Sequence, residues 1–141
     1  MQGEEVLSET PRTNIQVIPF RARHVPLIKP GVTEFEMARA ERDEKIAHAR
    51  TVCLLGDPIG AGGITPFEDG SAEAWAIFSP LSKHYAKAMF QACKQGIVEA
   101  EAELNPHVLF ARADLEDEAA QRFLEHLGYK AACYLFMKER R

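Results

Sequence analysis

Hydroxyl and basic side chains follow directly after a short apolar segment in the middle of the chain. Ala72–Phe78 is rich in bulky apolar residues and predicts a central strand. Ser79 and Pro80 come next and are typical of a helix start. A helix that begins there turns its N–H groups and its positive dipole end toward a phosphate-sized space. The side chains that could add donors or positive charge are Ser82, Lys83, His84 and Lys87.

The sequence leaves a second interpretation of this helix start open. No glycine lies between Ser79 and Gln95, although close backbone approach to a phosphate usually needs glycine. The same residues are equally typical of a helix N-terminus with solvated polar side chains. Phosphate binding is therefore one of two hypotheses for Ser79–Lys87.

Glu73 is the candidate for acid–base chemistry. In a strand, Glu73, Trp75, Ile77 and Ser79 lie on one face. A carboxylate on such a face could act as the general base for an amine. The alternative is a solvated acid near the end of the strand.

Other residues that could do chemistry lack the necessary spacing. The glycine-rich segment Gly60–Gly63 precedes a predicted strand, whereas a dinucleotide-binding loop requires a helix there, so a bulge or close backbone packing is favoured. The five histidines have no metal-ligand spacing with cysteines or acids. The three cysteines, Cys53, Cys93 and Cys133, are predicted to be buried free thiols.

The elements that must position these residues follow the order β-α-β-β-β-α-β-α-β, which predicts an α/β fold with a mixed sheet. Residues 1–13 are predicted to be a flexible N-terminal arm, and residues 14–141 a single domain. Strands at 50–55, 59–67 and 72–78 form an antiparallel meander that leads into a long helix ending at Asn105-Pro106. The strand at 107–111 follows a helical crossover, so it should be parallel to its partner.

Bulk composition narrows the possible partners. The net charge of −4 gives no general attraction to nucleic acid or to anionic membranes. No apolar run approaches the roughly 20 residues that cross a bilayer. The polar, acidic N-terminus does not have the pattern of a signal peptide, so the protein is predicted not to be secreted.

The element order, the strand and helix at 72–104, and the run Ala119–Tyr129 together resemble the GNAT superfamily of N-acetyltransferases. The resemblance implies acetyl-CoA-dependent transfer to an amine, with Glu73 as base and backbone near Ile77, Phe78 and Ser79 at the thioester. It places Ser82, Lys83 and His84 at the phosphates and Asp117 at the start of the late helix. The chain departs from the family pattern where Lys83 replaces an arginine, His84, Ala86 and Ala88 replace glycines, and Leu124 replaces a tyrosine.

A narrower resemblance accounts for these departures. The runs Pro58–Gly63, Ala74–Ser79 and Arg122–Gly128 are similar to the GNAT-like internal virion proteins of short-tailed phages. That resemblance implies an eroded acetyl-CoA loop and a role in virion assembly, with little or no catalysis and no cofactor. The implied partners are other virion proteins or further copies of the chain, in the host cytoplasm and possibly in the virion. A working acetyl-CoA-dependent N-acetyltransferase is the alternative.

Overall fold

The computed structural model describes residues 6–10, 14–112 and 118–129, with only the backbone described for 8–10, 86 and 95. The strands are β1 (Ser8–Thr10), β2 (Ile15–Pro19), β3 (His48–Leu54), β4 (Asp57–Pro66), β5 (Ser71–Phe78) and β6 (Val108–Arg112). The helices are α1 (Val25–Ile28), α2 (Glu34–Ile46), α3 (Ala86–Leu104) and α4 (Glu118–His126), with 3₁₀ turns at Ala22–His24 and Pro80–Tyr85.

The strands form one sheet in the order β1-β2-β3-β4-β5-β6. Neighbours from β1 to β5 are antiparallel, and β5 pairs with β6 in parallel. This arrangement confirms the predicted mixed α/β fold, the meander and the parallel strand after the crossover. The predicted last strand, 129–138, lies outside the described residues except for Tyr129.

Two segments differ from the sequence prediction in detail. Ser8–Thr10, assigned to the flexible arm, pairs with Ile15–Val17 as a short edge strand. The segment after Ser79 is a 3₁₀ turn, and α3 begins only at Ala86. The cause is local, because the N–H and the hydroxyl of Ser82 both donate to the Ser79 carbonyl, at 3.0 and 2.7 Å. This three-residue spacing tightens the turn.

The two faces of the sheet carry separate apolar clusters. Alternate residues of β5, Ala72, Ala74 and Ala76, pack in the cluster that includes the buried faces of α3 and α4. Trp75 packs on the opposite face with Phe20 and with Ala40 of α2. Thr33 and Glu36 form a capping box at the start of α2. The strand β5 is therefore covered on both faces.

Backbone packing accounts for the glycines of β4, as predicted. A Cβ on Gly62 would lie 2.9 Å from the Trp75 carbonyl oxygen, and one on Gly63 would overlap the His48 carbonyl and lie 2.5 Å from the Ala49 Cα. Strand β4 thus approaches its neighbours too closely for a side chain at these positions.

We expect Gly63→Ala to lower the free energy of unfolding by about 1–3 kcal/mol, because the neighbouring backbone must shift. Denaturant unfolding monitored by circular dichroism measures the change. Gly96→Ala is the matched control, since its Cβ would meet only the flexible Arg50 side chain at 3.1 Å and alanine is the better helix former. Equal effects of the two substitutions would contradict the packing explanation.

The described residues also bear on membrane-spanning helices, metal sites and cysteine thiols. No described helix is long and apolar enough to cross a bilayer. Within 6–10, 14–112 and 118–129, no group of three metal-ligating side chains occurs. Cys53 and Cys93 are free and buried, as predicted, and burial raises their thiol pKa values to about 11 and about 12. Cys133 lies outside the described residues.

Candidate active site at the end of strand β5

A cavity of about 590 Å³ lies where β5 leads into the 3₁₀ turn and α3, with α4 on its other side. We call it the basic cavity. Its polar lining is Ser82, Lys83, Lys87, Arg122 and His126. Its apolar lining includes Phe78, Phe90 and Phe123, whose rings pack edge to face with centroids 5.4–5.6 Å apart.

No described carboxylate pairs with the basic side chains of this cavity. Across the part of the chain that the structure describes, Lys83, Lys87 and Arg122 have no carboxylate within ion-pair distance. His126 adds a ring whose Nδ1 lies 2.7 Å from the Arg122 carbonyl, so Nδ1 carries the hydrogen. A cavity with three cationic side chains and no acid among its lining residues favours a ligand with several negative charges.

The described part of β6 pairs with the first residues of β5 only. In the described residues, β6 pairs with Ser71–Trp75, and the last residues of β5, Ala76–Phe78, pair with β4. Phe110 stacks on Phe67, with centroids 6.2 Å apart, at the other end of the β6 pairing. Neither Phe110 nor His84 nor Tyr85 lines the cavity.

The structure separates the residues predicted to hold acetyl-CoA. Phe78, Ser82 and Lys83 line the basic cavity. The N–H and hydroxyl of Ser82 are already used within the turn. His84 is exposed outside the cavity. Ile77 lines a second cavity, which lies on the opposite face of the sheet. Asp117 lies outside the described residues.

Ser79 contributes a buried hydroxyl at the end of β5. Its backbone N–H donates to the Ile59 carbonyl at 2.9 Å, but its Oγ has no hydrogen-bond partner among the described residues. A buried hydroxyl without a partner costs free energy unless a ligand or water satisfies it. Ser79 is not among the residues that line the basic cavity, so the cation set alone is what fits a phosphate-bearing ligand there.

Sequence reasoning missed Arg122 and His126. They lie four residues apart on α4, beside the buried stripe of Ala120, Phe123 and Leu124. That spacing places them on one flank of the helix. Their basic character was visible in the sequence, but only the packing of α4 against β5 shows which cavity they face.

Glu73 is held by two arginines. Its side chain is 14% exposed, and its Oε1 lies 3.6 Å from Arg42 Nη2 and 3.4 Å from Arg112 Nε. The hypothesis of a solvated acid is therefore wrong. Glu73 lines neither of the two cavities described here, and its role as a base stays a prediction.

A second carboxylate, Asp43 of α2, joins the same cluster. It is 3% exposed and accepts hydrogen bonds from the Thr65 hydroxyl at 2.8 Å and from Arg42 at 2.9 Å. Arg112 Nη2 approaches its other oxygen at 3.4 Å, and the Trp75 indole donates to Thr65 at 2.9 Å. The cluster fixes α2 against the ends of β4, β5 and β6.

A cavity of about 370 Å³ lies on the α2 face of the sheet, opposite the basic cavity. We call it the α2-side cavity. Trp75 and Ile77 of β5 line its floor, and Phe35 and Arg39 of α2 contribute to its wall together with Arg112 of β6. The two cavities therefore lie on opposite faces of the sheet beside the end of β5, where Ile77 lines one and Phe78 lines the other.

Comparison with known proteins gives structural matches only. No family model and no curated protein sequence matches the chain. The structure of TTHA1254 from Thermus thermophilus matches with a TM-score of 0.56 and 10% identity, covering 82% of this chain and 89% of that one. AAC(6′)-Iy, solved with a bisubstrate analogue of CoA, matches with a TM-score of 0.51 and 13% identity over 83% of this chain and 91% of that one.

A third match carries the family name. A protein from Desulfovibrio desulfuricans, assigned to the GNAT acetyltransferases, has a TM-score of 0.51 and 17% identity and covers 92% of this chain and 84% of its own. At these identities the matches establish the fold, and the mixed sheet, the parallel β5–β6 pair and the helices on both faces agree with it. The chain therefore has the fold of the GNAT acetyltransferases.

Proposed function

We propose that the protein binds acetyl-CoA in the basic cavity and transfers the acetyl group to an amine. The observation that carries the proposal is the set Lys83, Lys87 and Arg122 beside the end of β5, which has no ion-pair partner among the described residues. A diphosphate and a further phosphate supply the negative charge that this set needs. AAC(6′)-Iy, which has the same fold, was solved with a CoA-containing analogue, which supports this class of ligand.

The route of the diphosphate differs from the one that glycine-rich loops provide. The 3₁₀ turn Pro80–Tyr85 has side chains where glycines would allow close backbone approach. Charged side chains from three elements replace those backbone contacts in the proposal: Lys83 of the 3₁₀ turn, Lys87 at the start of α3 and Arg122 of α4. Lysine and arginine bind phosphates as point charges or as bidentate donors, so they do not require a bare backbone.

The reaction needs no covalent enzyme intermediate. The amine nitrogen attacks the thioester carbonyl, a C–N bond forms and the C–S bond breaks. The nitrogen loses one proton, and the CoA sulfur leaves with one proton as the thiol. Holding the two substrates in line contributes much of the rate. Within this proposal Glu73 holds Arg112 in place, since Glu73 contacts two guanidinium groups and lines neither cavity.

Thermal unfolding with increasing acetyl-CoA tests the proposal. At about 100 times its dissociation constant, the ligand should add roughly 2.7 kcal/mol to the free energy of unfolding and raise the melting temperature clearly. Arg122→Gln and Lys83→Gln should each weaken binding about tenfold, because each removes a charge-assisted contact. Release of CoA thiol with a panel of amines then measures the transfer.

Lys45→Gln is the matched control, because Lys45 is an exposed lysine of α2 outside the basic cavity. It should leave the acetyl-CoA shift unchanged. No shift with acetyl-CoA, or equal loss in all three variants, would contradict the proposal. The absence of a shift is the result expected from the hypothesis of an eroded loop.

That other hypothesis, assembly of a virion through protein contacts without a cofactor, stays a prediction. It depends on the resemblance of short sequence runs, and the structural comparisons support only the broader GNAT fold. Partners among virion proteins, self-association and a location in the host cytoplasm stay predictions with it.

A further inference from the structure

The α2-side cavity has an unbalanced charge of its own. Its lining carboxylates already have partners, since Glu36 contacts Lys29 and the Thr33 cap, and Asp43 accepts from Thr65 and Arg42. Arg39 also lines the cavity, and its guanidinium lies 4.9 Å from the centre of the Phe35 ring. No carboxylate in the described parts of the chain comes within ion-pair distance of Arg39.

Arg112 adds a second, more deeply buried cation. Its side chain is 21% exposed, it lies 3.4 Å from both Glu73 and Asp43, and its Nε is buried without a well-aligned acceptor. Burial lowers the pKa of Arg112, and the charges of Arg39 and Arg42 act in the same direction, against Glu73 and Asp43. Among the described residues, four cations (Lys29, Arg39, Arg42 and Arg112) thus meet three carboxylates (Glu36, Asp43 and Glu73) at or beside this cavity.

We propose that the α2-side cavity holds the acceptor as an amine that also carries a carboxylate, bound by Arg39 and Arg112. This inference rests on the proposed function, because it names the substrate of that reaction. A planar guanidinium pairs with a carboxylate through two parallel hydrogen bonds, and such pairing would balance the excess positive charge. A volume of about 370 Å³ suits an amino acid or a dipeptide.

The position of the cavity fits an acceptor site. Trp75 and Ile77 form its floor on one face of β5, whereas Phe78 points to the basic cavity on the other face. An amine that enters from the α2 side would therefore approach the end of β5 opposite the proposed acetyl donor. The exposed ring of Phe35 forms the outer wall. A polycationic amine is disfavoured, because Arg39 and Arg112 repel it.

Calorimetric titration of the full chain with glycyl-L-glutamate, without acetyl-CoA, tests the acceptor site directly. Glycyl-L-glutamine amide is the probe of similar size that lacks a carboxylate, and spermidine is the polycationic probe. We expect the glutamate peptide to bind and the other two probes to bind at least about tenfold more weakly, as loss of a charge-assisted pair predicts. Equal binding of the three probes, or no binding of the glutamate peptide, overturns the inference.

Arg39→Gln and Arg122→Gln form a matched pair for the same titration. Arg39→Gln should weaken the glutamate peptide about tenfold and leave acetyl-CoA binding unchanged, and Arg122→Gln should do the reverse. Peptide binding that depends on Arg39 but without any acetyl-CoA shift supports the anion site and overturns the transferase assignment. Acetyl-CoA binding without selectivity for the acidic peptide supports the proposed function and overturns the inferred acceptor site.

Discussion

Replacing Asp43 with alanine should lower the free energy of unfolding by about 3–5 kcal/mol, because it leaves buried cations and donors without their shared acceptor. Asp43 is 3% exposed, and its carboxylate accepts a hydrogen bond from Thr65 and pairs with Arg42 and Arg112. Without it, Glu73 is the one described carboxylate that remains to balance Arg42 and Arg112. Urea unfolding of the variant and the parent chain measures the difference.

Glu41→Ala provides the control on the same helix, since Glu41 is exposed two residues before Asp43. It should change the free energy of unfolding by no more than about 0.5 kcal/mol. Asp43→Asn keeps one oxygen for Thr65 but removes the charge, so its effect should fall between the two. A loss below about 1 kcal/mol for Asp43→Ala would mean that the cluster does not hold α2 to the sheet.

Local signals in the sequence were sufficient for the order of the main elements from β2 to α4. Asp69-Gly70 places the turn before β5, and Gly70 has the positive φ of 88° that this turn needs. Thr33 and Glu36 mark the start of α2 through contacts three residues apart. Such signals depend on neighbours in the chain, and they predicted the meander, the long helix and the parallel strand without knowledge of the packing.

The candidate site could be predicted only in part, because its contacts join distant residues. Lys83 was found from its place after the central strand, whereas Arg122 reaches the same cavity only through the docking of α4. The sequence of α2 is highly charged, which is typical of a surface helix. Its inward Asp43 meets Thr65, 22 residues away, and Arg112, 69 residues away, and no local pattern distinguishes that aspartate from its solvated neighbours.

His24 is a further residue that the sequence did not single out. It is 1% exposed, and its Nδ1 accepts from the Arg21 N–H at 3.1 Å and lies 2.7 Å from the Thr51 hydroxyl. Two donors on Nδ1 require the neutral ring with its hydrogen on Nε2. Burial, together with the charges of Arg23 and Arg21 and against Glu44, lowers the pKa of His24 from 6.5 to about 4.

The protein should therefore lose stability on acidification through His24. The unfolded chain takes up a proton on this ring near pH 6.5, whereas the folded chain takes it up only near pH 4. The contribution of His24 to the free energy of unfolding is fully present above pH 6.5. It declines as the pH falls toward 4, by about 3 kcal/mol in all. His24→Asn keeps an oxygen near the position of Nδ1 but cannot titrate. Denaturant unfolding at about pH 7.5, 6, 5 and 4 gives the free energy of unfolding at each pH. This free energy should depend less on pH in His24→Asn than in the parent chain, and an equal dependence would contradict the role given to His24.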